Sequence, residues 1–196
     1  KGVDNLVSVI MTCYNEDQNK LLKSINSILN QTYYQIEIIV VLYEGDINLN
    51  ILKKKFNYTD KLRIIETKKK VSFVEGLNIA IKESTGSFIA RIDSDDYAVN
   101  NRIELQIKYL LKNINIGLVG SNILCDYKVN KNFIRKYPEN HSDILKQFTL
   151  SNAIAHPTVL FRRTLIEDYG LYNENYPRCE DLELWFRFIN KKVKFH

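Results

Sequence analysis

The chain is poor in the residues that mark disordered, disulfide-bonded or membrane-spanning proteins. Only 3 residues are proline and 7 are glycine, whereas 45% are hydrophobic, which excludes a disordered or collagen-like chain. The three cysteines are widely spaced and include no CxxC pair, so neither a disulfide framework nor a zinc knuckle is indicated. The longest apolar run, Ile36–Tyr43, contains Glu37 and is far shorter than the roughly 20 residues of a membrane-spanning helix. We expect one globular domain with a sizeable core in a reducing compartment.

Two phosphate-binding motifs are absent as well. No GxGxxG follows a predicted strand, which argues against a hydride-transferring dehydrogenase. Residues 12–17 lack the glycine-rich loop of a sugar nucleotidyltransferase, the second enzyme class that we consider. The net charge of +5 comes from scattered basic residues without a nucleic-acid module around them, so we expect no nucleic-acid partner. The excess of positive charge suits a phosphate-bearing ligand or an anionic membrane surface.

Hydrophobic periodicity predicts alternating strands and helices in the first half of the chain. Strands are expected at 6–13, 36–42, 62–66 and 87–92, with helices at 21–29, 47–56 and 72–83 between them. The second half is less regular, with helices at 101–112, 142–150 and from Glu180, strands at 117–121 and 158–161, and a hairpin over 123–137 that turns near Asn130. This order predicts an α/β fold: a Rossmann-like, mostly parallel central sheet flanked by helices, with a small additional β element.

Ligand-binding residues are expected beyond the carboxyl ends of parallel strands, which meet at one edge of the sheet. Tyr14, Glu44 and the acidic segment Asp93-Ser94-Asp95-Asp96 all follow predicted strands. In an extended segment Asp93 and Asp95 project to the same side, where their oxygens suit a hard divalent cation that also binds a diphosphate. The alternative is an acid-rich turn that caps the next helix. Arg102 follows closely and could pair with one of these aspartates.

A second carboxylate stands at the start of the last predicted helix. Asp181, Leu184, Trp185 and Phe188 share one helix face, which places the carboxylate at the head of an apolar stripe. A general base beside an acceptor hydroxyl is what group transfer to an alcohol requires. The alternative is an acidic residue that interacts with the helix dipole. His156 is either a metal or phosphate ligand or a structural histidine.

Seven segments form an ordered set that covers nearly the whole chain. They are VSVIMTCYNE at 7–16, SINSILNQT at 24–32, GLN at 76–78, GSFIARIDSDD at 86–96, Arg102 with Gln106, HPTVLFR at 156–162 and EDLELW at 180–185. This set resembles the family-2 inverting glycosyltransferases, and most closely the bacterial enzymes that build surface polysaccharide or lipooligosaccharide. The resemblance implies a GT-A fold, a nucleotide-diphosphate sugar donor (UDP-sugar first of all), a divalent metal (Mn²⁺ or Mg²⁺) and inversion at the anomeric carbon.

The resemblance also implies roles for single residues. Asp181 matches the aspartate that deprotonates the acceptor hydroxyl, and the metal is expected at Asp95 and Asp96. The positions expected to bind the donor are Tyr14, Asn15, Glu44, Asn78, Arg91, Asp93 and Asp95. Supporting positions are Glu180, Arg102, His156 and Trp185.

The segment after the second strand departs from the family pattern. Family members have an aspartate there, often Asp-Gly, that recognises the base, whereas this chain has VLYEG at 41–45. Either Glu44-Gly45 replaces Asp-Gly with one residue inserted, or base recognition has drifted or been lost. The non-enzyme alternative is therefore a sugar-nucleotide-binding or scaffolding member of the fold.

The organisation expected is one catalytic domain over 1–196, with a nucleotide-sugar half at 1–97 and an acceptor-side half at 98–196. Because the chain stops at His196, just past the last predicted helix, we expect a longer protein whose C-terminal part is missing here. The expected partners are the donor and a glycan or lipid-linked acceptor. The expected location is the cytoplasm, with peripheral contact to the inner membrane as an option.

Overall fold

The computed structural model describes residues 5–13, 16–43, 47–57, 59–126 and 132–196. Within these ranges the chain forms nine strands, seven α-helices and one 3₁₀ turn. In chain order they are β1 (Val7–Cys13), α1 (Gln18–Leu29), β2 (Ile36–Tyr43), α2 (Leu49–Lys55), β3 (Leu62–Thr67), α3 (Phe73–Glu83), β4 (Phe88–Arg91), α4 (Arg102–Lys112), β5 (Ile116–Val119), β6 (Ile123–Cys125), β7 (Phe133–Arg135), α5 (His141–Phe148), the 3₁₀ turn (His156–Thr158), β8 (Leu160–Arg162), α6 (Thr164–Tyr169), α7 (Glu180–Asn190) and β9 (Lys194–Phe195).

Seven of the strands form one sheet in the order β3-β2-β1-β4-β8-β5-β9, and β6 with β7 forms a separate hairpin. The first four strands pair in parallel, while β8 runs antiparallel to both β4 and β5. The predicted mostly parallel sheet is thereby confirmed, and so is the additional hairpin. Because β1, β2 and β4 run in one direction, their carboxyl ends lie at the same edge of the sheet.

The core lies in two layers, one on each face of the sheet. Along β1 the side chains of Val7, Val9 and Met11 enter one layer, and that of Ile10 enters the other. Helices α1, α2 and α4 cover the first layer, whereas α3, α5, α6 and α7 cover the second. Strands buried on both faces explain why β1 and β2 read as nearly continuous apolar runs.

Local sequence signals set several element boundaries. Helix α3 begins with the predicted capping box, in which the Glu75 backbone N–H donates to Ser72 Oγ and the Ser72 N–H donates to Glu75 Oε2. Between α3 and β4, a Cβ added at Gly86 would lie 2.5 Å from the carbonyl oxygen of Leu6, so glycine permits close approach of two backbones.

Three parts of the second half differ from prediction. The strand expected at 158–161 is instead a 3₁₀ turn followed by β8 from Leu160, because Pro157 has no N–H for a strand ladder. Helix α6 and the two-residue strand β9 were not predicted. The hairpin turn expected near Asn130 lies outside the described residues.

None of the described helices combines the length and the apolar character needed to span a bilayer.

Candidate active site

Strands β1, β2 and β4 end at one edge of the sheet, where the sequence predicts donor binding. In the parallel register Cys13 of β1 pairs with Leu42 of β2, and Ile10 pairs with Arg91 at the end of β4. The segments that follow these strands therefore start from one edge. Tyr14, Asn15 and Glu44, which were predicted to bind the donor, lie outside the described residues.

The acidic segment forms a turn, and the prediction that it is extended was wrong. Strand β4 ends at Arg91, and the backbone N–H of Asp96 donates to the Asp93 carbonyl at 3.2 Å. The hydroxyl of Ser24 on α1 donates to the same carbonyl at 3.0 Å. Aspartate and serine are common in such turns because their side chains can hydrogen-bond to nearby backbone groups in place of the bonds of a helix or strand.

Within this turn the Asp93 carboxylate is held by Arg91. The guanidinium donates through Nη1 to Asp93 Oδ2 at 3.0 Å and through Nη2 to Oδ1. Arg91 is only 3% exposed, and its guanidinium lies over the Phe73 ring, 5.3 Å from the centroid. The bidentate pair fixes the start of the acidic segment.

Asp95 and Asp96 follow this fixed point and are exposed as whole residues, although the Asp96 carboxyl group is partly shielded from water. Asp95 lies 3.7 Å from Lys20 Nζ, an ion pair in which both side chains are about half exposed. Partial burial and repulsion from Asp93 and Asp95 raise the pKa of Asp96, and Arg91 and Arg102 oppose that shift. The turn therefore brings together three carboxylates, and a bound cation would reduce the repulsion between them.

The donor set suits a hard divalent cation only in part. In the described ranges, no group of three or more His, Cys, Asp or Glu side chains could hold a metal ion by itself. Asp95 and Asp96 supply carboxylate oxygens, which Mg²⁺ and Mn²⁺ prefer, and such cations commonly take their remaining ligands from substrate phosphates and water. These residues fit a cation that is shared with a diphosphate.

Arg102 does not form an ion pair with any described aspartate, so that expected pairing was wrong. Its Nη2 donates to the Arg91 carbonyl at 2.7 Å and the Val159 carbonyl at 3.4 Å, and its Nε donates to Gln106 Oε1 at 3.2 Å. Burial and the nearby charge of Arg91 lower the pKa of Arg102 to about 10. Arg102 thus holds the last residue of β4, just before the acidic segment.

Asp181 lies in the first turn of α7, as predicted, and each of its carboxylate oxygens accepts one hydrogen bond. Asn152 Nδ2 donates to Oδ2 at 3.0 Å, and the Leu182 backbone N–H donates to Oδ1 at 2.8 Å. The apolar stripe behind it is confirmed, because Leu184, Trp185 and Phe188 are fully buried. The carboxylate itself is only partly buried.

Glu180 and Trp185 are buried beside Asp181. Glu180 is 8% exposed and Trp185 is fully buried. In the described part of the chain, neither Glu180 Oε2 nor Trp185 Nε1 has a hydrogen-bond partner. The Trp185 ring packs edge-on against His156 at 6.0 Å between centroids.

His156 has the surroundings of a structural histidine. It is 8% exposed, and its Nε2 lies 2.9 Å from the Tyr172 hydroxyl. Burial, followed by the charge of Arg91, lowers the pKa of His156 well below its usual 6.5. Its burial and its contact with the Tyr172 hydroxyl agree with the structural alternative.

Tyr172 links the two halves of the site. Asn78 Nδ2, from α3, donates to the Tyr172 carbonyl at 3.0 Å and to Glu174 Oε1 at 3.1 Å. Burial raises the pKa of Tyr172, Arg91 opposes that shift, and Asp181 and Glu180 add to it. The charge of Arg91, which binds Asp93, and the charges of Asp181 and Glu180 on α7 therefore shift the pKa of the same phenol in opposite directions.

Sequence reasoning missed Tyr172 and Asn152. Both lie in loops, and Asn152 is 29 residues from Asp181, so no helical or strand spacing connects them. Asn78, in contrast, was predicted as a donor-binding position, and it stays a prediction. In the structure it is 4% exposed, and its Oδ1 has no partner within the described residues.

The sequence matches the model of glycosyl transferase family 2 over residues 8–170. The O-antigen biosynthesis glycosyltransferase WbnJ of Escherichia coli is 35% identical over 95% of this chain and 73% of its own length. An uncharacterized glycosyltransferase of Haemophilus influenzae is 34% identical over 92% of this chain. This chain spans only 59% of that relative.

Solved glycosyltransferase structures share the fold at low sequence identity. S. aureus TarS in complex with UDP-GlcNAc superposes with a TM-score of 0.75 and 18% identity, covering 97% of this chain and 56% of that one. The mannosyltransferase PcManGT of Pyrobaculum calidifontis, in complex with GDP-Man and Mn²⁺, gives a TM-score of 0.72 and 17% identity over 96% of this chain and 53% of that one. The chain therefore has the GT-A fold of these enzymes.

Proposed function

Because this chain belongs to glycosyl transferase family 2, we propose that it transfers a sugar from a UDP-sugar to a hydroxyl of a glycan or glycolipid acceptor. The transfer inverts the anomeric carbon and contributes to bacterial surface polysaccharide. Named relatives support this biosynthetic role, among them WbnJ of O-antigen biosynthesis.

One observation carries the proposal. Contiguous side chains connect the acidic turn to the helix that carries Asp181: Arg91, which holds Asp93, lies over the Phe73 ring, Phe73 packs against His156, and His156 packs against Trp185 of α7. An acidic turn that can bind a cation shared with a diphosphate, together with a separate carboxylate base, is what displacement of a nucleoside diphosphate by an alcohol requires. A domain freed from catalysis would have no need of both.

The chemistry proposed for the residues follows from their contacts. Asp181 accepts the proton of the acceptor hydroxyl while that oxygen attacks C1 of the donor sugar from the face opposite the diphosphate. The C1–oxygen bond to the diphosphate breaks, and the bonding electrons leave with the nucleoside diphosphate. A single displacement of this kind gives inversion. Arg91 and Asp93 keep the acidic turn in place, and Asn78 and Arg91 are proposed to line the donor site.

A divalent cation, Mn²⁺ or Mg²⁺, would be held by Asp95 and Asp96. When bound it supplies charge neutralisation for the diphosphate leaving group. The like charges of the turn support this assignment, as does the Mn²⁺ in the PcManGT complex.

The acceptor proposed is a glycan carried on a lipid diphosphate, used at the cytoplasmic membrane face. A relative that is 30% identical over 95% of this chain and 70% of its own length is named as a β-1,3-glucosyltransferase of Escherichia coli that acts on α-D-GlcNAc-diphosphoundecaprenol. We propose the same class of acceptor here. The division into a donor half at 1–97 and an acceptor half at 98–196 is part of this proposal.

The first experiment measures thermal unfolding with UDP, GDP, dTDP and CMP, each with and without Mn²⁺. A ligand at a hundredfold excess over its dissociation constant adds about 2.7 kcal/mol to the stability. We expect a metal-dependent shift with UDP that Asp95→Asn abolishes. No shift with any nucleotide would overturn the proposed donor site.

The second experiment measures nucleotide release from UDP-glucose and UDP-GlcNAc with a short-chain α-GlcNAc-diphosphate lipid. Asp181→Asn should abolish turnover but keep nucleotide binding, whereas Asp168→Asn, which removes an exposed carboxylate on α6, should not change the rate. Full turnover in Asp181→Asn would contradict the mechanism. Binding without turnover in the unchanged protein would favour the scaffolding alternative, and pyrophosphate release from UTP would favour a nucleotidyltransferase.

A further inference from the structure

The hydrogen bond between Asn152 and Asp181 connects the proposed base to a different part of the fold. Asn152 lies in the loop between α5 and the 3₁₀ turn, and its Nδ2 donates to Asp181 Oδ2 at 3.0 Å. The donor on the other oxygen, the Leu182 backbone N–H at 2.8 Å, belongs to the next residue of α7. Among the described residues, Asn152 is therefore the hydrogen-bond donor that connects the Asp181 carboxylate to a part of the chain outside α7.

Asn152 is itself fixed at both ends of its amide. Its Oδ1 accepts from the Ile154 backbone N–H at 3.1 Å, so a flipped amide would place an NH₂ group against that N–H and an oxygen against the carboxylate. The loop around it is anchored in the core, because Ala153, Ile154 and Ala155 are 0%, 3% and 7% exposed. The donor that faces Asp181 thus has a defined position.

We propose that Asn152 is a positioning residue that orients the Asp181 carboxylate toward the acceptor hydroxyl, an inference that rests on the proposed function. Rotation about the last bond of an aspartate side chain is only weakly restricted. One donor on each oxygen fixes the plane of the carboxylate. Each oxygen has two lone pairs, so one lone pair per oxygen stays free for the proton of the acceptor.

Two substitutions of Asn152 separate positioning from loop stability. Asn152→Asp keeps the oxygen that accepts the Ile154 N–H but replaces the NH₂ donor by a second carboxylate oxygen. Two carboxylates at this distance repel each other or share a proton. Asn152→Ala removes both hydrogen bonds without adding charge.

The experiment measures kcat and KM with UDP-glucose or UDP-GlcNAc and the α-GlcNAc-diphosphate lipid, together with the thermal shift with UDP and Mn²⁺. We expect kcat to fall about ten- to a hundredfold in both variants, with Asn152→Asp at least as impaired as Asn152→Ala. The KM for the donor and the nucleotide shift should stay within about twofold, because none of the hydrogen bonds that Asn152 makes in the described part of the chain reaches the acidic turn.

A purely structural role gives the opposite order. If Asn152 only stabilises its loop, Asn152→Asp retains turnover and Asn152→Ala loses it together with melting temperature, which would overturn the inference. Asn190→Asp is the matched control, since it adds the same charge at the exposed far end of α7 and should leave kcat unchanged. Failure of the proposed function is separate, because it appears as full turnover in Asp181→Asn or none in the unchanged protein.

Discussion

The buried imidazole of His156 makes the stability of this protein depend on pH. The ring is enclosed by aromatic side chains, with Tyr172, Trp185 and Phe73 at 5.4, 6.0 and 6.4 Å between centroids. This enclosure and the charge of Arg91 lower the pKa of His156 well below 6.5. The folded protein therefore keeps this ring neutral under conditions in which the unfolded chain protonates it.

The sign and size of the effect follow from proton linkage. Between the unfolded pKa, near 6.5, and the lower folded pKa, the unfolded chain binds one more proton than the folded protein does. The free energy of unfolding therefore falls as the pH drops below 6.5, by up to about 1.4 kcal/mol per pH unit. Above 6.5 this contribution to stability is complete.

Urea unfolding at pH 7.5, 6.5 and 5.5 checks this expectation. In His156→Gln, which keeps a polar partner for the Tyr172 hydroxyl, this part of the pH dependence should disappear. His141→Gln is the control, since partial burial also lowers the pKa of His141, and it should remove a smaller part. If the wild-type protein and His156→Gln differ by the same free energy at all three pH values, then the pKa of the ring is the same in the folded and the unfolded protein, and the structural assignment is wrong.

Three further changes test the packing that supports the site. Arg102→Met should lower the free energy of unfolding by about 2 to 4 kcal/mol, measured by urea titration, because the carbonyls of Arg91 and Val159 lose a buried donor; an unchanged midpoint would contradict this role. Phe188→Ala, at a fully buried position, should cost about 3 to 5 kcal/mol, whereas Phe186→Ala, at a position 46% exposed, should cost far less. Gly86→Ala should cost about 1 to 3 kcal/mol in thermal unfolding, because the new Cβ would meet the Leu6 carbonyl oxygen at 2.5 Å.

The elements of the first half could be predicted from the sequence because their signals are local. The apolar runs of β1 and β2, the capping box at Ser72 and the stripe behind Asp181 each depend on residues within about two turns or one strand. The alternation of strands and helices then predicted a parallel sheet, whose strands end at one edge. The second half was predicted less well, since β9 is two residues long and α6 is six, too short for a periodic pattern.

The candidate site was predictable only as a set of carboxylates near strand and helix ends. Whether the acidic segment is extended or a turn depends on Ser24 and Arg91, which hold it from outside. That Arg102 supports backbone carbonyls instead of an aspartate depends on the approach of the loop at Val159.

The sequence by itself determined the family, the alternating fold and the positions of Asp95 and Asp181, because these follow from ordered motifs and local periodicity. Only the tertiary structure decided what surrounds them. The groups that hold the acidic turn and Asp181 come from distant parts of the chain, as when Ser24 reaches the Asp93 carbonyl over 69 residues and Asn152 reaches Asp181 over 29. Such contacts leave no periodic trace in the sequence, since the folded backbone alone brings these side chains together.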